Sequence, residues 1–176
     1  MLKIIDRIRR AGIATEALPS SAGPKLADAA DSGRLQRQVL AILGRALAIR
    51  LVDAGSCNAC ELEIHALNNP YYNIEGLGIR FVASPRHADL LMVTGPVSRN
   101  MAEALQRSYA AMPDPKLVLA VGDCAHDGGI FGTSYASLGR VAELIPVDAS
   151  VPGCPPTPTA ILQAVLGLIA RDRPGG

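Results

Sequence analysis

Residues 116–124 read KLVLAVGDC, an unbroken apolar run from Leu117 to Val121 stopped by Gly122, with a cysteine two places further on. A short apolar run closed by a turn residue is the pattern of a strand buried on both faces. The same grammar recurs along the chain. ALAIRLVDAG (46–55) alternates Leu47, Ile49 and Leu51 before a glycine, and GIRFVASP (78–85) and DLLMVTGPV (89–97) are compact runs ending in turn residues. AELIPVDASVPG (142–153) reads as a weaker fifth strand. Helices fit between them at 60–69, 98–112 and 157–171, the last written TPTAILQAVLGLIAR.

Strands alternating with helices imply right-handed crossovers and a mainly parallel sheet covered on both faces. The expected fold is therefore α/β, an open, doubly wound, flavodoxin-like sheet over residues 46–176. An N-terminal arm, residues 1–45, precedes it. In MLKIIDRIRR, Met1, Ile4, Ile5 and Ile8 gather on one side of a helical wheel and Lys3, Arg7 and Arg10 on the other, which suits an anionic lipid surface or a neighbouring subunit. Residues 15–33, rich in Ala, Ser, Pro and Gly, read as an extended linker. RLQRQVLAILGRA (34–46) places Leu35, Val39, Ile42 and Leu43 at helical spacing.

Composition narrows the function classes. With 176 residues, 49% of them apolar and 19% charged, the chain has material for one packed domain and is too apolar for a disordered one. A net charge of +1, no Trp, two Phe and four Tyr argue against nucleic acid as a partner. The low charged fraction suits a surface covered by partner subunits, or an Ala-rich composition. No apolar run is long enough to span a bilayer, and the first residues lack the pattern of a secretory signal.

The four cysteines follow strand ends. Cys57 and Cys60 follow the first strand, Cys124 closes the KLVLAVGDC strand, and Cys154 follows the fifth. In open parallel sheets, ligands bind outside the carboxyl ends of the strands. All four thiols thus map to one edge, and the economical reading is a single four-thiolate site. Each lies beside glycine or proline (GSC, VGDC, VPGCPP), where backbone N–H groups can approach sulfur and favour an anionic centre. Structural zinc is an alternative, although it usually takes two C-x-x-C knuckles and here Cys124 and Cys154 stand single. A thioredoxin-like pair leaves those two without a role. Inert buried thiols would not be expected at four strand ends.

DAGSCNACELEI, SPRHADLLMVTGPV, GDCAHDGGIF and VPGCPPTP together resemble the small electron-transfer subunit of nickel–iron hydrogenases and the related B subunit of respiratory complex I. The resemblance covers roughly residues 46–171. It implies that Cys57, Cys60, Cys124 and Cys154 ligate one [4Fe–4S] cluster within 46–176, and that the chain relays electrons while holding no catalytic residue. Its separated pair, CNAC, is similar to the hydrogenase arrangement, whereas the complex I subunit has adjacent cysteines. Shortness, a single cluster and the TEALP arm are similar to energy-converting, membrane-bound hydrogenases of the formate hydrogenlyase type. The implied partners are a nickel–iron large subunit, a ferredoxin-like iron–sulfur subunit and membrane-embedded subunits. The implied location is peripheral, on the cytoplasmic face of the inner membrane. The alternatives are a complex I-like subunit of a quinone-coupled, nickel-free oxidoreductase, and a zinc-stabilised structural subunit.

The remaining polar residues carry weaker signals. Glu61 and Glu63 flank the first thiols, and a solvated or helix-capping role is expected ahead of proton relay. His65 and His126 are expected at the surface or an interface. Arg86 and His87 fit loop capping, and Asp123 fits either a loop cap or a group that tunes the site.

Overall fold

A computed structural model describes Arg37 and residues 45–171. The expected N-terminal helix and linker lie outside these, as does the second arm helix (34–46) except for Arg37, which is helical, and Arg45 and Ala46, which are not. Across residues 45–171, seven strands and four α-helices follow one another: β1 (Leu47–Asp53), α1 (Ala59–Ala66), β2 (Ile79–Phe81), β3 (Leu90–Thr94), β4 (Val97–Ser98), α2 (Arg99–Ala110), β5 (Leu117–Val121), α3 (Asp123–His126), β6 (Ser137–Gly139), β7 (Ala149–Val151) and α4 (Pro158–Arg171).

Five strands form one parallel sheet in the order β2-β1-β3-β5-β7. Counting only these strands, this is the flavodoxin-like order, whose topological switch lies between the first and third. Strand periodicity explains the two layers. Leu47, Ile49, Leu90, Met92, Leu119 and Val121 face one core, against Ile64 and Leu67 around α1 and Ile161, Leu162, Val165, Leu168 and Ile169 of α4. The alternate residues Val52, Leu91, Val93, Val118 and Ala120 face the other, with Leu105 of α2 and Val141. Both faces are covered, so β3 and β5 are apolar almost throughout rather than alternating, and β1 departs from this at Arg50 and Asp53.

Each helix displays the pattern that seats it. In α2, Leu105 is buried while Met101, Ala102 and Tyr109 pack beside it at helical spacing, and the Glu103–Arg107 ion pair lies on the exposed side. In α4 the buried residues recur every three or four places. It starts at Pro158, whose missing N–H costs nothing there, and the Thr157 hydroxyl accepts from the Ala160 N–H at 3.3 Å.

Two expectations need correction. The run 89–97 is two elements: after β3 the chain turns at Gly95, and β4 pairs antiparallel with β6 in a separate small ribbon. The fifth strand is only three residues long, because Val141–Glu143 forms a 3-10 turn and pairing with β5 begins at Ala149.

Candidate metal centre

The loops at the carboxyl ends of β1, β5 and β7 bring all four cysteines to one rim. Cys57 lies in the loop after β1. There the Asp53 carboxylate accepts from the N–H groups of Gly55 (2.8 Å) and Ser56 (2.7 Å), and the Ser56 hydroxyl accepts from Asn58 N–H at 3.0 Å. Asn58, in a left-handed conformation, turns the chain into α1, so Cys60 occupies that helix's first turn. The N-terminal end of a helix favours negative charge on such a sulfur.

Cys124 and Cys154 are held by a direct stitch between their loops. Gly122 N–H donates to the Val151 carbonyl at 2.8 Å and Asp123 N–H to the Gly153 carbonyl at 2.9 Å. In return, Gly153 N–H donates to the Asp123 carboxylate at 2.6 Å. Asp123 is therefore a loop clamp, and its charge also bears on Cys124.

Glycine makes room for the sulfurs. A Cβ on Gly122, whose φ is +91° and ψ 159°, would stand 2.6 Å from the Cys60 Sγ. One on Gly129 would stand 3.0 Å from the Cys124 Sγ. Only a residue without a side chain lets these backbones lie against the thiols, and Gly122 adopts a conformation that is almost exclusive to glycine.

The two half-buried thiols, Cys60 and Cys124, are shifted by their surroundings. Burial pushes the Cys60 thiol up to about 12, and the charges of Glu61, Cys124, Cys57 and Cys154 act in the same direction. The Cys124 thiol is also raised, by burial first and then by Cys154, Cys57 and Asp123. No disulfide joins them, and Cys57 and Cys154 are exposed. Burial and neighbouring charge thus oppose ionisation of Cys60 and Cys124; a cationic metal core would reverse that balance and hold them as thiolates. By chemistry, the set thus fits a group bearing metal charge. Among the described residues, no three His, Cys, Asp or Glu side chains are grouped to hold one metal ion.

Glu61 departs from expectation. It is 6% exposed, and neither carboxylate oxygen has a hydrogen-bond partner. It precedes Ile64 by three residues, so the face of α1 that seats Ile64 in the core carries Glu61 inward as well. Glu63 is half-buried, while His65, His126, Arg86 and His87 are exposed. Arg86 and His87 occupy a 3-10 turn capped by Ser84, in keeping with a loop role. Sequence reasoning assigned no role to Ile130 (91% exposed), Phe131 or Tyr135, which project apolar groups into solvent between Cys124 and β6.

With this geometry in place, comparison is informative. Residues 57–168 match the family model described as NADH ubiquinone oxidoreductase, 20 Kd subunit. The chain belongs to this family. It is 44% identical over 129 residues to the probable membrane-bound hydrogenase subunit mbhJ of Pyrococcus furiosus, covering 73% of this chain and 77% of the relative. It is 41% identical over 140 residues to formate hydrogenlyase subunit 7 of Escherichia coli, covering 78% of this chain but only 55% of that protein. Among solved structures, a chain of the membrane-bound sulfane sulfur reductase, an archaeal respiratory membrane complex, superposes with a TM-score of 0.63 at 32% identity, over 75% of each chain. Family membership makes this an electron-transfer subunit of a hydrogenase-like oxidoreductase. Among the described residues, no helix is long and apolar enough to cross a membrane.

Proposed function

We propose that this chain is the electron-relay subunit of a membrane-associated oxidoreductase complex, holding one [4Fe–4S] cluster on Cys57, Cys60, Cys124 and Cys154. The observation that carries the reading is the meeting of four thiols from three loops on one rim, each of the two half-buried ones repelled by the others. A tetrahedral zinc ion, with its sulfurs about 2.3 Å from one centre, is the rival occupant of the same four thiols. When bound, the cluster supplies one-electron transfer at a potential set by its surroundings. The chain's own part is to position and insulate. The Asp123–Gly153 stitch fixes two thiols, the Asp53 turn and α1 present the other two, and the core beneath excludes water from one side. The chain itself carries no acid, base or nucleophile for substrate chemistry in this reading.

Two versions differ in the large partner. The matched family is named for a quinone-linked respiratory enzyme, which supports a nickel-free partner and coupling to quinone. The relatives named as hydrogenase subunits support a nickel–iron partner fed through a ferredoxin-like subunit. In both, the chain sits peripherally on the membrane-embedded subunits, on the cytoplasmic side.

Anaerobic purification tests the core proposal. The expected product is brown, with about four irons and four labile sulfides per chain, and Cys124→Ser abolishes its electron paramagnetic resonance signal. A colourless protein with stoichiometric zinc would overturn it. Assaying the purified complex for hydrogen-dependent dye reduction and for quinone reduction separates the two versions.

A further inference from the structure

Among the described residues, the buried polar side chains are Glu61, Thr94 and Ser137. Thr94 donates to the Val52 carbonyl at 3.5 Å, and the Ser137 hydroxyl accepts from Gly139 N–H at 3.0 Å. Glu61 alone of the three is an acid, and both of its carboxylate oxygens are buried without a hydrogen-bond partner.

The usual structural uses of such a residue are closed to it. Glu61 is the third residue of α1 after the N-cap Asn58, a position from which a glutamate commonly reaches back to the N-cap N–H. Here the Asn58 N–H donates instead to the Ser56 hydroxyl at 3.0 Å. The ion pairs among the described residues take in Asp89, Glu103, Asp114 and Glu143, but not Glu61. Burying a carboxylate in this way is unfavourable, and no polar contact among the described residues offsets it.

What Glu61 does have is a place beside the half-buried Cys60, and of the charges that raise that thiol its own is the largest. Asp123, the acid next to Cys124, differs in accepting a hydrogen bond from Gly153 N–H. A carboxylate shut off from water, with no counter-charge or N–H against it, acts on its surroundings with little screening. Reduction adds negative charge to an iron–sulfur group, and net charge and exposure are among the properties that set its potential.

We propose that Glu61 tunes electron transfer at the rim, holding down the reduction potential of the cluster carried by Cys60 and the other three cysteines. The inference rests on the cluster reading above. Glu61 acts here through its charge and ligates nothing.

Redox titration of the anaerobically reconstituted full chain, followed by electron paramagnetic resonance with iron and sulfide counted on every sample, tests it. Glu61→Gln, close in size but uncharged, is expected to keep its iron and to shift the one-electron equilibrium toward the reduced form by about tenfold, or about 59 mV more positive. Glu61→Asp, which keeps the charge, should stay nearer the native potential than Glu61→Gln. Glu63→Gln, at a position less buried than Glu61, should shift it less. An unshifted Glu61→Gln with full iron would overturn the proposal. Equal shifts for the Gln and Asp variants would overturn it too, because shape and not charge would be responsible. Loss of iron from Glu61→Gln would do the same by assigning the carboxylate to cluster assembly. A native chain free of iron and sulfide would instead defeat the cluster reading itself, and the iron count separates that result from an unshifted potential.

Discussion

Gly122→Ala offers the sharpest test of how the thiol rim is built. The added Cβ would stand 2.6 Å from the Cys60 Sγ, so the sulfur must retreat by roughly 1 Å to reach ordinary contact. Metal–ligand distances tolerate only about 0.2 Å. The displacement exceeds that several-fold, so cluster loading should fail even where folding survives. Folding is weakened too: φ +91° with ψ 159° is a region essentially closed to alanine, costing about 1–3 kcal/mol. For a chain of this length that corresponds to a melting temperature lower by about 2–12 °C. Thermal melts followed by circular dichroism, with iron and sulfide counted after anaerobic reconstitution, read both effects. Gly132→Ala is the control. Gly132 also has a positive φ, but nothing lies within 4 Å of its would-be Cβ, so it should lose some stability and keep its iron. If Gly122→Ala retains iron as Gly132→Ala does, the close approach of this backbone to Cys60 does not shape the site.

Asp123→Ala removes the acceptor for Gly153 N–H; a hydrogen bond to a charged group is worth about 1.5–3 kcal/mol, so its melt should fall clearly below that of Asp123→Asn, which keeps an acceptor oxygen. Glu61→Leu should raise the urea midpoint of the metal-free chain, because a buried carboxylate without partners costs about 1–3 kcal/mol; a lower midpoint would mean that Glu61 has a stabilising partner. The metal-free chain should also weaken with rising alkalinity. The Cys60 thiol ionises near 9 when unfolded but near 12 when folded, so between those values the unfolded chain has shed a proton that the folded chain retains, and unfolding is favoured. Urea midpoints across that range should fall more steeply for the native chain than for Cys60→Ser, and parallel slopes would refute the assignment.

The parallel sheet was legible because burial on both faces leaves a plain mark, the almost unbroken apolar runs at 90–94 and 117–121, while 47–53 sets its apolar residues around Arg50. The thiol rim was legible for a related reason. Parallel strands all end on the same edge, so cysteines placed just after strands must share it whatever their spacing in sequence. Short-range structure was harder to see. The β4–β6 ribbon spans two and three residues, too few for any period to emerge, and its pairing is fixed by contact between distant segments. Glu61 was misplaced because its charge argued for solvent, whereas its spacing from Ile64 argued for the core, and packing of the helix decided the matter.

The bonds joining Gly122 to Val151 and Asp123 to Gly153 close the neck of a long excursion. The exposed tip of that excursion lies beyond the contact of Gly129 with the Cys124 sulfur, and the bonds at the neck hold Cys124 and Cys154 independently of it. Insertions, deletions or a wholesale change of side chains around Ile130, Phe131 and Tyr135 can therefore accumulate without moving either sulfur. A lineage could refit this protruding surface to a new neighbour, one substitution at a time, while the thiol rim beneath stayed the same.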